Sequence, residues 1–315
     1  MSHTFLVTGG AGFIGSNICD VLLKLGHQVI CLDNFSLGKR ENIEMYLNNV
    51  NFKLLEGDIR DYKTCEDACK NVDFVLHQAA WGSVPRSIVM PLEYEDINIR
   101  GTLNIFEASV KQGVKKCVYA SSSSVYGDSE ELPRIESRIG NVLSPYALTK
   151  KVCEEYGRIY KTIYGLDTYG MRYFNVFGKN QNPNGDYAAV IPKFIKLLLD
   201  GVTPVIHGDG LQTRDFTHVG NVVQANISAC FASSEYAGSV YNIALGGRRT
   251  LMDVYNDICA TLGVEVMPEF SKSRQGDVKH SNADISMAIE CLNYEPKVNF
   301  IDGLKLTIDW YKENL

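Results

Sequence analysis

The run Thr8-Gly9-Gly10-Ala11-Gly12-Phe13-Ile14-Gly15 joins a short apolar segment, Phe5-Leu6-Val7-Thr8, to an amphipathic stretch that continues through Leu25. The spacing of Gly9, Gly12 and Gly15 predicts a strand, a tight turn and a helix packed back against the strand. The first glycine allows the turn. The second lets the backbone approach a pyrophosphate, and the third lets helix and strand come close. Free N–H groups and the positive end of the helix dipole would face the phosphates. Val29-Ile30-Cys31-Leu32 predicts a second strand, and Asp33 ends it. A carboxylate there hydrogen-bonds an adenosine ribose hydroxyl and repels a 2′-phosphate, so the pattern favours NAD over NADP.

Phe52–Leu55, Phe74–His77, Lys116–Tyr119 and Thr168–Tyr173 read as further strands, with helices near 61–70, 96–112 and 145–164. Strands alternating with helices imply βαβ units and a sheet buried on both faces. The expected fold class is α/β: a doubly wound, mostly parallel, Rossmann-like sheet with a smaller C-terminal α/β substrate lobe. After Asn175 comes the polar, turn-rich stretch 178–185, and the elements beyond it are shorter and less regular. The expected organisation is a dinucleotide-binding domain over 1–175, with part of 213–245 returning to it, and mainly a substrate lobe over 176–315.

The 315 residues are 45% hydrophobic and 22% charged, with a formal charge of −6. Lys and Arg are dispersed, which argues against a nucleic-acid groove. No apolar run approaches the ~18 residues of a membrane span. The start, MSHTFLVTGG, lacks the basic residues and apolar run of a secretory signal, so a cytoplasmic location is expected. Cys occurs at 19, 31, 65, 69, 117, 153, 230, 259 and 291. Cys65 and Cys69 have no second close Cys/His pair, so no metal site is expected, and the thiols should be reduced and buried.

Asp58, after the third strand, and His77-Gln78-Ala79-Ala80, at the end of the fourth, fall where a doubly wound sheet keeps its ligand crevice. Asp58 reads either as an adenine partner or as a helix N-cap. His77 reads as a satisfied core histidine. Ala120-Ser121-Ser122-Ser123-Ser124-Val125-Tyr126-Gly127 follows the fifth strand, and Ser144-Pro145-Tyr146-Ala147-Leu148-Thr149-Lys150 opens the next helix. Tyr146 and Lys150 share one helical face. A tyrosine near its reference pKa of ~10 is a poor base at neutral pH; an ammonium one turn away favours the phenolate. A serine hydroxyl orients the substrate oxygen. The three form a general-base site that removes a carbinol proton while hydride leaves to NAD.

These stretches, with Asn98-Ile-Arg-Gly-Thr102, Arg172-Tyr-Phe-Asn175, Gly208-Asp-Gly210, Thr213-Arg214-Asp-Phe216 and Arg274-Gln-Gly-Asp277, span nearly the whole chain. Together they resemble the extended short-chain dehydrogenase/reductases, and within them the NAD-dependent nucleotide-sugar 4-epimerases. The resemblance implies Ser122 as catalytic serine, Tyr146 as base, Lys150 as its partner, and Ser124 where many relatives carry Thr. It implies an NAD site lined by Gly9, Gly12, Phe13, Ile14, Gly15, Asp33, Asn34, Ser36, Gly38, Asp58, Ile59, Gln78, Ala79, Ala80, Asn98, Tyr146, Lys150 and Phe174. For the nucleotide sugar it implies Gly82, Ser83, Ser122, Ser123, Tyr146, Asn175, Ala189, Val190, Arg214, Arg274, Asp277 and Ser281. It also implies a homodimer built from the helices near 96–112 and 145–164, which carry Tyr156 and Tyr160.

A nucleotide-sugar 4,6-dehydratase shares the fold, but such relatives carry Thr-Asp-Glu where this chain has Ser122-Ser123-Ser124, with no carboxylate until Asp128. Elimination of water needs an acid and a base there. A UDP-glucuronate decarboxylase fits the overall pattern less well. A non-catalytic NAD-binding sensor would be expected to lack Tyr146 or Lys150. Trp81–Ser87, Tyr187–Pro192 and Lys279–Ser281 look most like the branch acting on UDP-N-acetylhexosamines. UDP-N-acetylhexosaminuronic acids, UDP-glucose and UDP-glucuronate remain as alternatives.

Overall fold

The computed structural model describes residues 2–184, 188–272 and 279–315. Arg274, Asp277 and Tyr187, singled out above, lie outside the described residues. Seven parallel strands form the central sheet: β1 (Thr4–Thr8), β2 (Gln28–Asp33), β3 (Phe52–Glu56), β4 (Phe74–His77), β5 (Lys116–Ser122), β6 (Asp167–Tyr173) and, after short pairs β7 (Val176–Phe177), β8 (Val205–His207), β9 (Thr213–Arg214) and β10 (Thr217–His218), β11 (Ser239–Ile243). Their order is β3-β2-β1-β4-β5-β6-β11. The chain reverses direction across the sheet between β1 and β4, which opens a crevice at their carboxyl ends.

Alternate residues of each strand enter opposite cores. Phe5 and Val7 pack on one face, beneath α1 (Phe13–Lys24), while Leu6 packs on the other. That second face is covered by α2 (Tyr62–Ala68) and, after the short helices α3 (Val84–Val89) and α4 (Pro91–Tyr94), by α5 (Gly101–Gln112) and α6 (Pro145–Tyr164). Double burial explains the nearly unbroken apolar strands. Helix α6 begins where the Ser144 hydroxyl accepts from Ala147 N and Pro145 takes the first helical position; it stops at Gly165, with φ of 73°. A π-helical stretch, Glu95–Arg100, leads into α5.

The chain between β6 and β11 runs through α7 (Val190–Leu199) and α8 (Val219–Phe231). After β11 come β12 (Arg249–Thr250), α9 (Leu251–Leu262), β13 (Glu269–Ser271), α10 (Ser286–Leu292) and α11 (Phe300–Asn314). Helices α7, α9 and α11 bury Phe194, Ile258 and Leu304 in a separate core. The strand that receives the serines is longer than the sequence pattern predicts. Strand β5 runs on to Ser122, because Ser121 and Ser122 keep pairing with Arg172 and Tyr173 of β6. All nine thiols are free; eight are buried and Cys291 is half-buried. No helix among the described residues is long and apolar enough to cross a membrane.

Candidate active site

The glycine turn is held by backbone contact. Gly9 N donates to the Leu32 carbonyl at 2.8 Å and Gly12 N to the Gly9 carbonyl at 3.0 Å. Gly9 has φ of 65°, and a Cβ there would stand 2.8 Å from the Ala79 backbone. A Cβ on Gly15 would stand 2.1 Å from the Gly9 carbonyl oxygen. The N-cap Gly12 offers no side chain to the first turn of α1, whose amides therefore stay open to an anion.

A cleft of about 500 Å³ opens from this turn. Among its lining residues are Gly9, Gly12, Phe13, Ile14, Gly15, Asp33, Asn34, Ser36, Gly38, Asp58, Ile59, Gln78, Ala79, Ala80, Gly82 and Ser83. Asp33 accepts Ala11 N at 2.9 Å and Phe35 N at 2.8 Å. Burial raises its pKa, against the pull of those amides. Asp58 is not a helix cap: Asp61 caps α2. Arg60 grips the Asp58 carboxylate at 2.7 Å and Asn34 donates to it at 2.9 Å, which holds its pKa down to about 2. A glycine cradle, a ribose-facing carboxylate and a second ionised carboxylate fit NAD from pyrophosphate to adenine.

Asn98 and Phe174, implied for this site, stand behind it, whereas Gln78 lines it. Asn98 is 1% exposed. Its carboxamide is spent on both backbone groups of Trp81, at 2.8 and 3.1 Å, and on Thr149. Phe174 is fully buried in a cluster with Val125 and Tyr126. The Gln78 carboxamide is tied to Tyr173 and Asn226. His77 is indeed a core histidine, bonded to Thr8 and Thr102 and held neutral by burial, with its pKa lowered to about 3.

Ser122, Tyr146 and Lys150 converge where β5 meets α6. The Ser122 Oγ accepts Ser124 N at 3.1 Å, and the Ser122 side chain lies close enough to Tyr146 to pull its pKa down. A Cβ on Gly82 would stand 4.0 Å from the Tyr146 hydroxyl, so the cleft backbone faces the phenol. The Lys150 ammonium donates to the Ala120 carbonyl at 2.8 Å. Burial raises the Tyr146 pKa while Ser122 lowers it; burial lowers that of Lys150. From spacing alone, an ammonium one helical turn away lowers the Tyr146 pKa. In the folded protein burial instead sets the direction, and Tyr146 stays a phenol until further positive charge arrives. The Ser124 hydroxyl oxygen is buried and has no partner among the described residues.

A second cleft, of about 360 Å³, is lined by Asn175, Ala189, Val190, His207, Arg214 and Phe216, among others; Ala188 and Ala189 line both clefts. Ser281 N donates to the Thr213 carbonyl at 3.1 Å, setting Ser281 beside the strand that bears Arg214. Two organising residues escape sequence reasoning. Tyr94 is fully buried, accepts Ser83 N at 3.0 Å and stacks edge-on against Tyr146 at 6.2 Å. Asp215 accepts the amides of Leu245, Gly246 and Ala283, and burial still pushes its pKa up to about 6. Its adjacency to Arg214 was a signal; Tyr94 offered none.

This glycine turn, two-carboxylate cleft and Ser–Tyr–Lys cluster define an extended short-chain dehydrogenase/reductase. The chain belongs to the NAD dependent epimerase/dehydratase family, which it matches over residues 5–244, and its cofactor is NAD. It is 39% identical over 311 residues to a putative UDP-glucose 4-epimerase of Methanocaldococcus jannaschii, covering 98% of each chain. Its structure resembles that of a UDP-N-acetylglucosamine 4-epimerase from Methanobrevibacter ruminantium, in complex with UDP-N-acetylmuramic acid. The TM-score is 0.94, with 40% identity over 100% of this chain and 99% of that one. It also resembles a Thermus thermophilus UDP-glucose 4-epimerase in complex with NAD: TM-score 0.88, with 33% identity over 99% of this chain and 100% of that one.

Proposed function

We propose that the chain is a UDP-sugar 4-epimerase and that its substrate is a UDP-N-acetylhexosamine, UDP-GlcNAc and UDP-GalNAc being interconverted. The observation that carries the epimerase reading is the convergence of Ser122, Tyr146 and Lys150 where β5 meets α6, with the Tyr146 hydroxyl facing Gly82 of the NAD cleft and Ser123 rather than a carboxylate next to Ser122. Residues 1–175, with β11, serve NAD, and 176–315 mainly serve the nucleotide. NAD, which the glycine turn with Asp33 and Asp58 would hold, would supply reversible hydride acceptance at the sugar carbon. Tyr146 takes the proton of the sugar 4-hydroxyl and gives it back. Ser122 orients that oxygen, and the buried Lys150 charge favours the phenolate. Asn175, Ala189, Val190 and Arg214, with Arg274 and Asp277, hold the nucleotide diphosphate while the sugar presents each face to Tyr146 in turn. A guanidinium fork suits the phosphate oxygens. The test incubates the protein with UDP-GlcNAc, UDP-glucose and UDP-GlcNAc uronate and resolves the products. Epimer from UDP-GlcNAc above the others supports the reading; a 4-keto-6-deoxy product or loss of carbon dioxide overturns it.

Ser281 is proposed as the residue that admits the N-acetyl group. A small side chain leaves volume beside the sugar, and its hydroxyl offers a hydrogen bond. Ser281→Tyr is expected to lower kcat/KM for UDP-GlcNAc more than ~10-fold, over ~1.4 kcal/mol of transition-state binding, while UDP-glucose is kept or improved. Parallel assays of both substrates on wild type and variant check this, and an equal fall on both removes Ser281 from the role.

The chain is also proposed to pair as a two-fold homodimer through α5 and α6. Leu148, Ile163 and Tyr164 are exposed on α6, and Ile88, Val89 and Leu92 on the adjoining α3 and α4. Tyr160, by contrast, is spent within the subunit, packed on Phe106 at 5.1 Å and bonded to Glu107. Light scattering should give twice the 35.1 kDa chain mass at micromolar concentration.

A further inference from the structure

One turn below Lys150, helix α6 buries a second charge. The Glu154 carboxylate receives two bonds from Arg172 of β6, Nε to Oε1 and Nη2 to Oε2, each 2.8 Å. The two side chains are 7% and 3% exposed. Glu154 Oε1 also accepts the Ser121 hydroxyl at 2.5 Å. Arg172 donates through Nη1 to the Glu136 carbonyl and lies over the Tyr126 ring at 4.9 Å. Ser121 and Arg172 face each other in the β5–β6 register. Successive turns of α6 thus grip successive residues of β5: Lys150 holds the Ala120 carbonyl and Glu154 the Ser121 hydroxyl. The next residue is Ser122.

We propose that Glu154 is a positioning residue for the catalytic centre. It fixes the strand end that carries Ser122 against the helix that carries Tyr146, and its pairing with Arg172 leaves the Lys150 ammonium as the charge that acts on Tyr146. This rests on the epimerase reading above. A buried ion pair adds little stability over an apolar pair of the same volume, so stability alone does not account for its placement here. Two further titratable groups face the pair: the Glu136 carboxyl, whose pKa burial raises and Arg172 lowers, and the Tyr119 phenol of β5, whose pKa burial and Glu154 both raise. Lys150 is faced by Cys153 and Glu154 from its own helix and by His77 of β4; Tyr146 is faced by Tyr94 of α4 and Ser122 of β5. Burial keeps the Cys153 thiol and the His77 ring uncharged. Glu154 favours the charged form of Lys150, opposing the effect of burial.

The experiment compares Glu154→Gln with the double variant Glu154→Gln/Arg172→Gln and with Ser121→Ala. Two readouts are followed against pH. One is kcat/KM. The other, without substrate, is the near-ultraviolet absorbance of the Tyr146 phenolate, taken as the difference from the same protein carrying Tyr146→Phe. Glu154→Gln leaves the Arg172 charge unbalanced. Tyr146 should then ionise about one pH unit or more lower in both readouts, the scale of one charge within about 10 Å at an effective dielectric near ~20. The double variant should restore the wild-type position. Ser121→Ala should lower kcat several-fold, with KM and the pH limbs unmoved. Wild-type pH limbs in Glu154→Gln, or a shift that persists in the double variant, overturn the proposal. If Glu154→Gln does not fold, wild-type kcat in both Ser121→Ala and the double variant overturns it. An inactive wild-type protein overturns the epimerase reading instead, and the phenolate titration still decides the role of Glu154.

Discussion

Tyr146→Phe is expected to reduce turnover at least ~100-fold, or ~2.7 kcal/mol of transition-state stabilisation, the usual scale for a positioned acid–base group. The substitution keeps the ring, so the edge-on contact with Tyr94 at 6.2 Å and the helix around it should survive. Only the oxygen that faces Gly82 and lies beside Ser122 is lost. Affinity for the sugar nucleotide should change little, because Asn175 and Arg214 line a different cleft. The pH dependence carries a further sign. A base must be ionised to act, and burial raises the Tyr146 pKa while it lowers that of Lys150. Wild-type kcat/KM should therefore pass through a maximum in alkaline solution, because it needs Tyr146 ionised and Lys150 protonated together. In Tyr146→Phe the acid limb should vanish. Steady-state kinetics over a pH series check both points; near-normal turnover would move the base to Ser122 or Ser124.

Gly15→Ala should cost more than about 3 kcal/mol of stability, at or above the upper end for overpacking, and the purified protein should carry no NAD. The added Cβ would stand 2.1 Å from the Gly9 carbonyl oxygen and 2.8 Å from the Gly10 Cα. Both are backbone atoms, and they cannot swing aside as a side chain does. Relief requires α1 to lift from β1, which opens the turn whose amides face the cofactor. Gly247→Ala is the control: its Cβ would meet nothing within 4 Å, and no change in melting temperature is expected. Thermal unfolding and assay of the nucleotide released on denaturation decide the matter. A stable, NAD-loaded Gly15→Ala protein would remove the close approach as the reason for glycine here.

Much of this was legible in the residues alone. Short, nearly unbroken apolar runs alternating with helical patterns placed β1 to β6 within a few residues. The turn glycines and Asp33 announced the cofactor site because they act through backbone and neighbours close in the chain: Gly12 N reaches the Gly9 carbonyl and Asp33 reaches Ala11 N. Tyr146 and Lys150 were legible because helical geometry alone puts them on one face. Glu154 stands at the next step of that face, and the same spacing could have found it.

What only the tertiary structure decided is the company each residue keeps. Asn98 belongs to the cofactor motif by sequence, but folding turns its carboxamide onto the Trp81 backbone. Tyr94 carries no motif, yet once buried it accepts Ser83 N and packs edge-on against Tyr146. Asp215 gathers amides from two segments tens of residues away, and its burial, not its sequence, raises its pKa. The sign of the Tyr146 shift follows the same rule. Spacing puts an ammonium on the same helical face, but desolvation depends on everything that surrounds the ring, and it raises the Tyr146 pKa. Local geometry is written in neighbouring residues; burial and long-range partners exist only once the chain has closed around them.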